Sequence, residues 1–366
     1  MPSTGESLMN LDHSARHYNI DESRMIDKVF SLPAQMEKAW ELALPFAGDI
    51  PASSSSFIIC GMGGSAIGGQ LLKDLINPGC RTGLHLERGY SLPSFAGTDT
   101  PVICISYSGN TEEVISTFRE ALAKGCPVAA ITSGGILATE ADAAGVPVLK
   151  IPGGNPPRAS FGYLFAPLVR LASVWGLLDI DDEGFASVMR NTRGLMGECL
   201  LDADLAGNTA MQLAKKLYGK VPLIYSGNGL LTGAAYRWKC QFNENSKSMA
   251  FFNTFPELGH NEIMAWDCPE KMRQDIFLIM LYDKDDHSRV IKKMEVAYSL
   301  LESLAGGAIR IESVGGPGPA GRLERQLSIV ALADLTSVYL AVEYGTDPTP
   351  IEKIEEIKNL IGSEDE

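Results

Sequence analysis

The chain of 366 residues carries 45% apolar and 21% charged side chains, the composition of a folded globular protein with core enough for two ordinary domains. Its formal charge of -14 excludes nucleic acid as the main partner, since no basic stripe remains to neutralise phosphates. A small anion has to be held by local donors, because the long-range field repels it.

Residues 1 to about 20 read as poorly ordered and show no apolar leader, so no signal peptide is expected. From Asp21 to Ala43 the apolar residues Met25, Val29, Phe30, Met36, Trp40 and Leu42 recur at helical spacing. Pro33 interrupts this lead-in helix pair, and Pro45 and Pro51 close it. A regular alternation follows. Ser56–Cys60 predicts a strand, and the turn Gly61-Met62-Gly63-Gly64-Ser65-Ala66-Ile67-Gly68-Gly69 opens a helix to about Leu75. Leu84–Glu87, Val102–Ser106, Val128–Thr132 and Val146–Ile151 predict four more strands, with a helix after Thr111 and another over Ile136–Ala144. Strands spaced by helix-length segments imply right-handed βαβ units around a parallel sheet. Ser160–Leu178 predicts a long helix leaving this domain, and the acidic cluster at Ile180–Gly184 marks a boundary.

The second half repeats the pattern. Pro222–Tyr225 predicts a strand, Ser226-Gly227-Asn228-Gly229 a glycine turn and Leu230–Glu244 a helix. Further strands are expected at Ile276–Tyr282 and Ala308–Glu312, with helices over Ser288–Ala305, Gly321–Tyr344 and Pro350–Ile361 and a frayed acidic end at Ser363–Glu366. The apolar run Ile329–Val342 is broken by Asp334, which suits a buried helix better than a membrane span. The expected organisation is α/β, with lead-in helices over 1–50, one domain over 51–180 and a second over 181–366.

Cys60, Cys80, Cys104, Cys126, Cys199, Cys240 and Cys268 form no close pair, which predicts free thiols in a reducing cytoplasm. His13, His17, His85, His260 and His287 lack any ligand spacing, so no metal site is expected.

Two turns carry the chemistry. After Val102–Ser106 come Ser106, Ser108 and Thr111, then a helix with Glu112 and Glu113 in its first turn. Backbone amides at the positive end of a helix, ringed by neutral hydroxyl donors, form a phosphate cradle. A Ser/Thr helix cap accounts for one of these hydroxyls but not for all three. The other turn has two readings. Gly61-x-Gly63-x-x-Ala66, with Glu87 at the end of the next strand, satisfies a relaxed dinucleotide fingerprint, which makes Glu87 the ribose ligand of an oxidoreductase. Ser65 instead puts a hydroxyl where a phosphate monoester needs one, so that two loops close on a single phosphate. In the second half Asp283, Asp285 and Asp286 stand where the first has hydroxyls, and one anion site per chain is expected.

GMGGSAIGG followed by SYSGNTEEV resembles the sugar isomerase (SIS) domains, and two such domains in one chain resemble the bifunctional phosphoglucose/phosphomannose isomerases. Further matches are Asn155–Tyr163, Phe242–Lys247, Phe255–Glu262 and Asp347–Lys358, so the resemblance runs from about Asp21 to Leu360. It implies two flavodoxin-like SIS domains, each a parallel sheet flanked by helices, and isomerisation of glucose 6-phosphate and mannose 6-phosphate to fructose 6-phosphate without metal or cofactor. It implies that Gly64, Ser65, Ser106, Ser108 and Thr111 hold the 6-phosphate. Glu244 is then the base that moves a proton between C1 and C2, and Arg158 faces the enediolate oxygens. His260, reaching in from the partner of a homodimer, and Lys358 open the sugar ring; Lys353 on the same short helix is the alternative match. Two rivals share these residues: a sugar-phosphate sensor on the same fold without turnover, and an NAD-dependent oxidoreductase built on Gly61–Ala66 and Glu87.

Overall fold

Three helices, α1 (His13–Ile20), α2 (Met25–Phe30) and α3 (Leu32–Gly48), lead into a repeating strand–helix unit. It runs β1 (Ser56–Gly61), α4 (Gly63–Ile76), β2 (Gly83–Glu87), β3 (Val102–Ser106), α5 (Glu112–Ala123), β4 (Val128–Thr132), α6 (Gly135–Ala144) and β5 (Val148–Lys150). A 3-10 turn at Pro157–Ser160 then enters α7 (Phe161–Val174), followed by α8 (Asp182–Gly197) and α9 (Thr209–Leu217). The unit returns as β6 (Val221–Gly227), α10 (Thr232–Glu244), β7 (Phe251–Phe255), α11 (Glu270–Arg273), β8 (Ile276–Tyr282), α12 (Ser288–Leu301) and β9 (Ala308–Glu312). Helices α13 (Gly318–Glu343) and α14 (Glu352–Gly362) close the chain. This computed structural model describes residues 13–52, 55–76, 80–200 and 207–362; Ser363–Glu366, expected to fray, lie outside the described residues.

All strand pairs are parallel, in the orders β2-β1-β3-β4-β5 and β7-β6-β8-β9. Strand order reverses between β1 and β3, and again between β6 and β8. A crevice therefore opens at the carboxyl ends of each pair, where α/β sheets bind ligands. Strands β3 and β4 are buried throughout, which is why they read as unbroken apolar runs. Helix α4 lies over β1 and α10 over β6, and these two helices pack on each other. Asp74 of α4 accepts the Gly233 amide, in the first turn of α10, at 2.6 Å and so caps it across the junction. Helix α13 is the one described helix long and apolar enough to cross a membrane, and 83% of its apolar stretch is buried.

Several local expectations change. The chain is helical over His13–Ile20 rather than unordered; His17 is buried, with its ring edge-on to Tyr18 and Tyr339. Pro33 stands in the first turn of α3, where no amide is needed, and α3 continues through Pro45 to Gly48. At the Ile180–Gly184 cluster, where the domain boundary is expected, α8 begins, its first turn capped by Asp181 accepting from Gly184 at 2.8 Å. Strand β7 was not anticipated: it is a short, half-exposed edge strand whose pattern alternates weakly.

Candidate active site

The crevice between β1 and β3 brings the two sequence loops together. The Tyr107 amide donates to Ser65 Oγ at 3.3 Å, so the glycine turn and the hydroxyl turn share one concavity. Ser106 Oγ and Thr111 Oγ1 are 2.8 Å apart, and Ser106 Oγ also accepts from the Gly109 amide at 3.0 Å. Ser108 is exposed and accepts from the Asn110 amide at 3.2 Å. Thr111 occupies the N-cap position of α5, yet its hydroxyl caps nothing and turns to Ser106 instead. The helix-cap reading therefore does not explain it. Gly109 has φ +73°, and a Cβ there lies 1.8 Å from the Gly134 carbonyl, so the next loop presses on the cradle from behind.

Two contacts carry the cradle towards the second half. A Cβ on Gly64 would lie 3.3 Å from the Arg158 amide, so the glycine allows the Pro157–Arg158 backbone close against the glycine turn. The Asn155 amide donates to the Tyr107 hydroxyl at 3.1 Å. Arg158, 3% exposed, donates from Nε to Asn245 Oδ1 at 2.6 Å and from Nη2 to the Pro348 and Thr349 carbonyls at 2.7 and 2.8 Å. Its Nη1 is left 3.6 Å from Glu244 Oε2 at the end of α10. Burial lowers the Arg158 pKa, the Glu244 carboxylate opposes the shift, and Arg237 adds to it. Glu244 is partly open and lines a cavity of about 500 Å³ with Asn243, Lys247, Asp347, Ile351 and Lys353.

Behind Arg158 lies a buried polar network that sequence reasoning missed. Arg237 donates to Asp334 from Nε and Nη2 at 2.9 and 2.6 Å and to the Arg158 carbonyl at 2.9 Å. Gln241 donates to Asp334 at 2.8 Å, and Asn245 donates to Ser337 Oγ at 2.9 Å. Burial pushes the Asp334 pKa up, and the bonded Arg237 cation opposes this. The one signal available was Asp334 itself, a carboxylate inside an apolar helix.

His260 and Lys358 do not join this cluster within one chain. His260 is exposed at the end of a 3-10 turn after β7, and Lys358 is exposed on α14, while Lys353 faces the cavity. Glu87 turns back on its own loop: it accepts from the Gly89 amide at 2.7 Å and stands 3.5 Å from His85. At the matching crevice of the second sheet, a Cβ on Gly227 or Gly229 lies 2.4 or 2.6 Å from an Asp286 carboxylate oxygen. A side-chain carboxylate thus fills the second glycine turn, and burial together with Asp283 and Asp285 lifts it to about 6.

A family model described as the bacterial phospho-glucose isomerase C-terminal SIS domain matches residues 206–361. The bifunctional phosphoglucose/phosphomannose isomerase of Caldicellulosiruptor bescii is 38% identical over 338 residues, covering 92% of this chain and 98% of the relative. That of Aquifex aeolicus is 37% identical, covering 82% and 88%. The solved C-terminal domain of glucosamine-fructose-6-phosphate aminotransferase from Francisella tularensis shares the fold at a TM-score of 0.69 and 15% identity, covering 89% of this chain and 98% of its own.

Proposed function

The chain belongs to the bifunctional phosphoglucose/phosphomannose isomerases and is an enzyme of that type, and from that premise we propose that it interconverts glucose 6-phosphate and mannose 6-phosphate with fructose 6-phosphate through a cis-enediol(ate), without a metal ion. One observation carries the reading: the Arg158 guanidinium, whose backbone abuts the Gly64 turn, points its free Nη1 at Glu244 Oε2 across 3.6 Å.

The chemistry follows from these positions. Ser65, Ser106, Ser108, Thr111 and the amides around Gly64 hold the 6-phosphate with neutral donors, which an acidic protein needs for an anionic substrate. Glu244 accepts the C2 proton of the open-chain aldose and returns it to C1, a task suited to a fixed carboxylate beside both carbons. Negative charge gathers on the C1 and C2 oxygens only along this path. A guanidinium held by three hydrogen bonds therefore stabilises the transition state more than the ground state. Glucose and mannose 6-phosphates differ only at C2, so loss of that proton leads both to the same enediol. The two epimers carry that proton on opposite faces, so one base and one cation serve both substrates only where the site lets the sugar turn about its C2–C3 bond or tolerates both epimers.

Ring opening is assigned to Lys358 and to the partner subunit's His260 in a homodimer. Two features support the dimer: His260 stands exposed and is not among the residues lining the Glu244 cavity, and the apolar row of α14, Ile354, Ile357, Leu360 and Ile361, is 41–61% exposed. A cytoplasmic setting belongs to the same proposal; all seven cysteines are free, with Cys60 and Cys104 buried side by side on β1 and β3. A coupled assay for fructose 6-phosphate from each aldose, run in EDTA, tests the whole. Turnover of both aldoses that survives the chelator and is abolished by Glu244→Gln supports it. Full turnover by Glu244→Gln, or loss in EDTA restored by zinc, refutes it.

A further inference from the structure

Lys247 has a backbone that lysine rarely adopts. It sits three residues beyond Glu244 with φ 53°, one of two non-glycine residues with positive φ among those described. Left-handed backbone at such a residue costs of order 1 kcal/mol and persists where the surroundings enforce it, often at functional sites. The enforcing contacts are visible. Lys247 Nζ donates to the Glu244 carbonyl at 2.6 Å and to the Pro348 carbonyl at 3.0 Å, the same carbonyl that takes a hydrogen bond from Arg158. The ammonium lines the cavity beside Glu244 with one of its three donors left over.

Resting on the assignment of Glu244 and Arg158 above, we infer that Lys247 is a positioning residue of the isomerase site, whose ammonium ties the end of the Glu244 helix to the Pro348 carbonyl and so fixes the catalytic carboxylate against the guanidinium. The left-handed residue lies three positions past the end of α10, and from there its side chain reaches back to the carbonyl of Glu244. The knot joins three separate pieces of chain: the last turn of α10, the Arg158 turn and the loop before α14. None of the three is bonded to the others by regular secondary structure, so their spacing depends on these side chains.

The charges facing the ammonium are Arg158, Asp347, Glu244 and Glu352. Burial and then the like charge of Arg158 pull its pKa down to about 8, against the three carboxylates. The knot is charged below that pH and loses its charge above it. The kcat profile is accordingly expected to fall on its alkaline side near pH 8.

The experiment compares Lys247→Gly, Lys247→Met and Glu244→Gln with the wild type in the coupled assay from pH 6 to 10, alongside thermal melts. Glycine removes the ammonium and relieves the left-handed backbone, so Lys247→Gly is expected to melt no lower than the wild type. Its kcat is expected to drop roughly ten- to a hundredfold, the loss a misplaced catalytic group brings, with KM within about threefold. Lys247→Met, which keeps the stem and the Cβ, loses the same rate, and both variants lose the fall near pH 8. Wild-type kcat and an unchanged alkaline limb in Lys247→Gly overturn the inference, as does a rate loss confined to Lys247→Met. Glu244→Gln separates the two levels. If it is inactive while the Lys247 variants are normal, only the role of Lys247 fails; if it turns over freely, the reading of the site fails.

Discussion

Replacing Arg158 by lysine tests the centre of the site. The arginine spends Nε on Asn245 and Nη2 on two carbonyls while Nη1 faces Glu244. A planar fork with five fixed donors manages this in one conformation, whereas an ammonium has three donors at a single point. Lysine therefore serves the carbonyls or the reacting oxygens, but not both. If it stays with the carbonyls, the enediolate loses its fixed cation, at a cost of about 3–4 kcal/mol or 10²- to 10³-fold in kcat. If it turns to the oxygens, the buried Asn245 Oδ1 and the Thr349 carbonyl lose the donors that Arg158 gives them, at about 1–3 kcal/mol for the buried one, and the protein melts earlier, while the Pro348 carbonyl keeps Lys247. KM is expected to stay within about threefold, because the hydroxyls and amides proposed to hold the phosphate are not bonded by the Arg158 side chain. Coupled turnover of both aldoses, with a thermal melt of the same sample, reads both arms. Arg158→Lys with more than a third of wild-type kcat and an unchanged melting temperature would refute the reasoning.

Three further outcomes follow from the same geometry. Ser106→Ala with Thr111→Val removes the hydroxyl pair and is expected to raise KM for both aldoses by roughly ten- to a hundredfold with a smaller effect on kcat, since phosphate binding is shared by substrate and transition state. Lys358→Met is expected to lower turnover on the cyclic aldose by at least about tenfold, with Lys353→Met close to wild type; the opposite order in the coupled assay transfers the ring-opening role to Lys353. Burial raises the Asp74 pKa to about 7, above its unfolded value, so its contribution to stability is complete below about pH 4 and is lost as pH rises through about 7. Asp74→Asn is free of this loss, and its stability relative to wild type is expected to improve between pH 5 and 8.5 by up to roughly 3 kcal/mol, measured by denaturant unfolding at both pH values.

The strand–turn–helix unit proposed to hold the phosphate was legible because it is local. A buried strand, a glycine or hydroxyl turn and a helix lie within about a dozen residues, and one pattern announces all three. Helix ends and the parallel sheets followed from the same short-range signals, with Val128–Thr132 and Ile276–Tyr282 ending where expected. The Arg158 environment was not legible in that way. Its partners Asn245, Pro348 and Thr349 are 87, 190 and 191 residues away, and no periodicity links them. Only the family resemblance joined Arg158 to Glu244. Asp334 was visible as a polar break in an apolar run, but its partner Arg237 is 97 residues away and became visible only in three dimensions. Strand β7 escaped for a different reason: an edge strand with three half-buried residues lacks the apolar run that betrays a central one.

The two sheets share a strand order, yet their crevices have opposite contents. Hydroxyls and glycine leave the first open to an anion, whereas Asp286 closes the second with an anion of its own. The second half contributes in another way, by ending the helix after β6 at Glu244. The proposed base and cation therefore come from opposite sides of the junction where α4 packs on α10, and their separation is set by that packing rather than by either sheet. Sliding α10 along α4 by one turn, about 5.4 Å, would part Glu244 from Arg158 while leaving the phosphate cradle intact. Specific contacts oppose such a slide: Asp74 on the first turn of α10, Arg237 and Gln241 from its middle to the Arg158 carbonyl and Asp334, and Lys247 just past its end to the Pro348 carbonyl. They fix α10 at its start, centre and finish. Substitutions at these positions are therefore expected to disturb catalysis before they disturb binding of the phosphate.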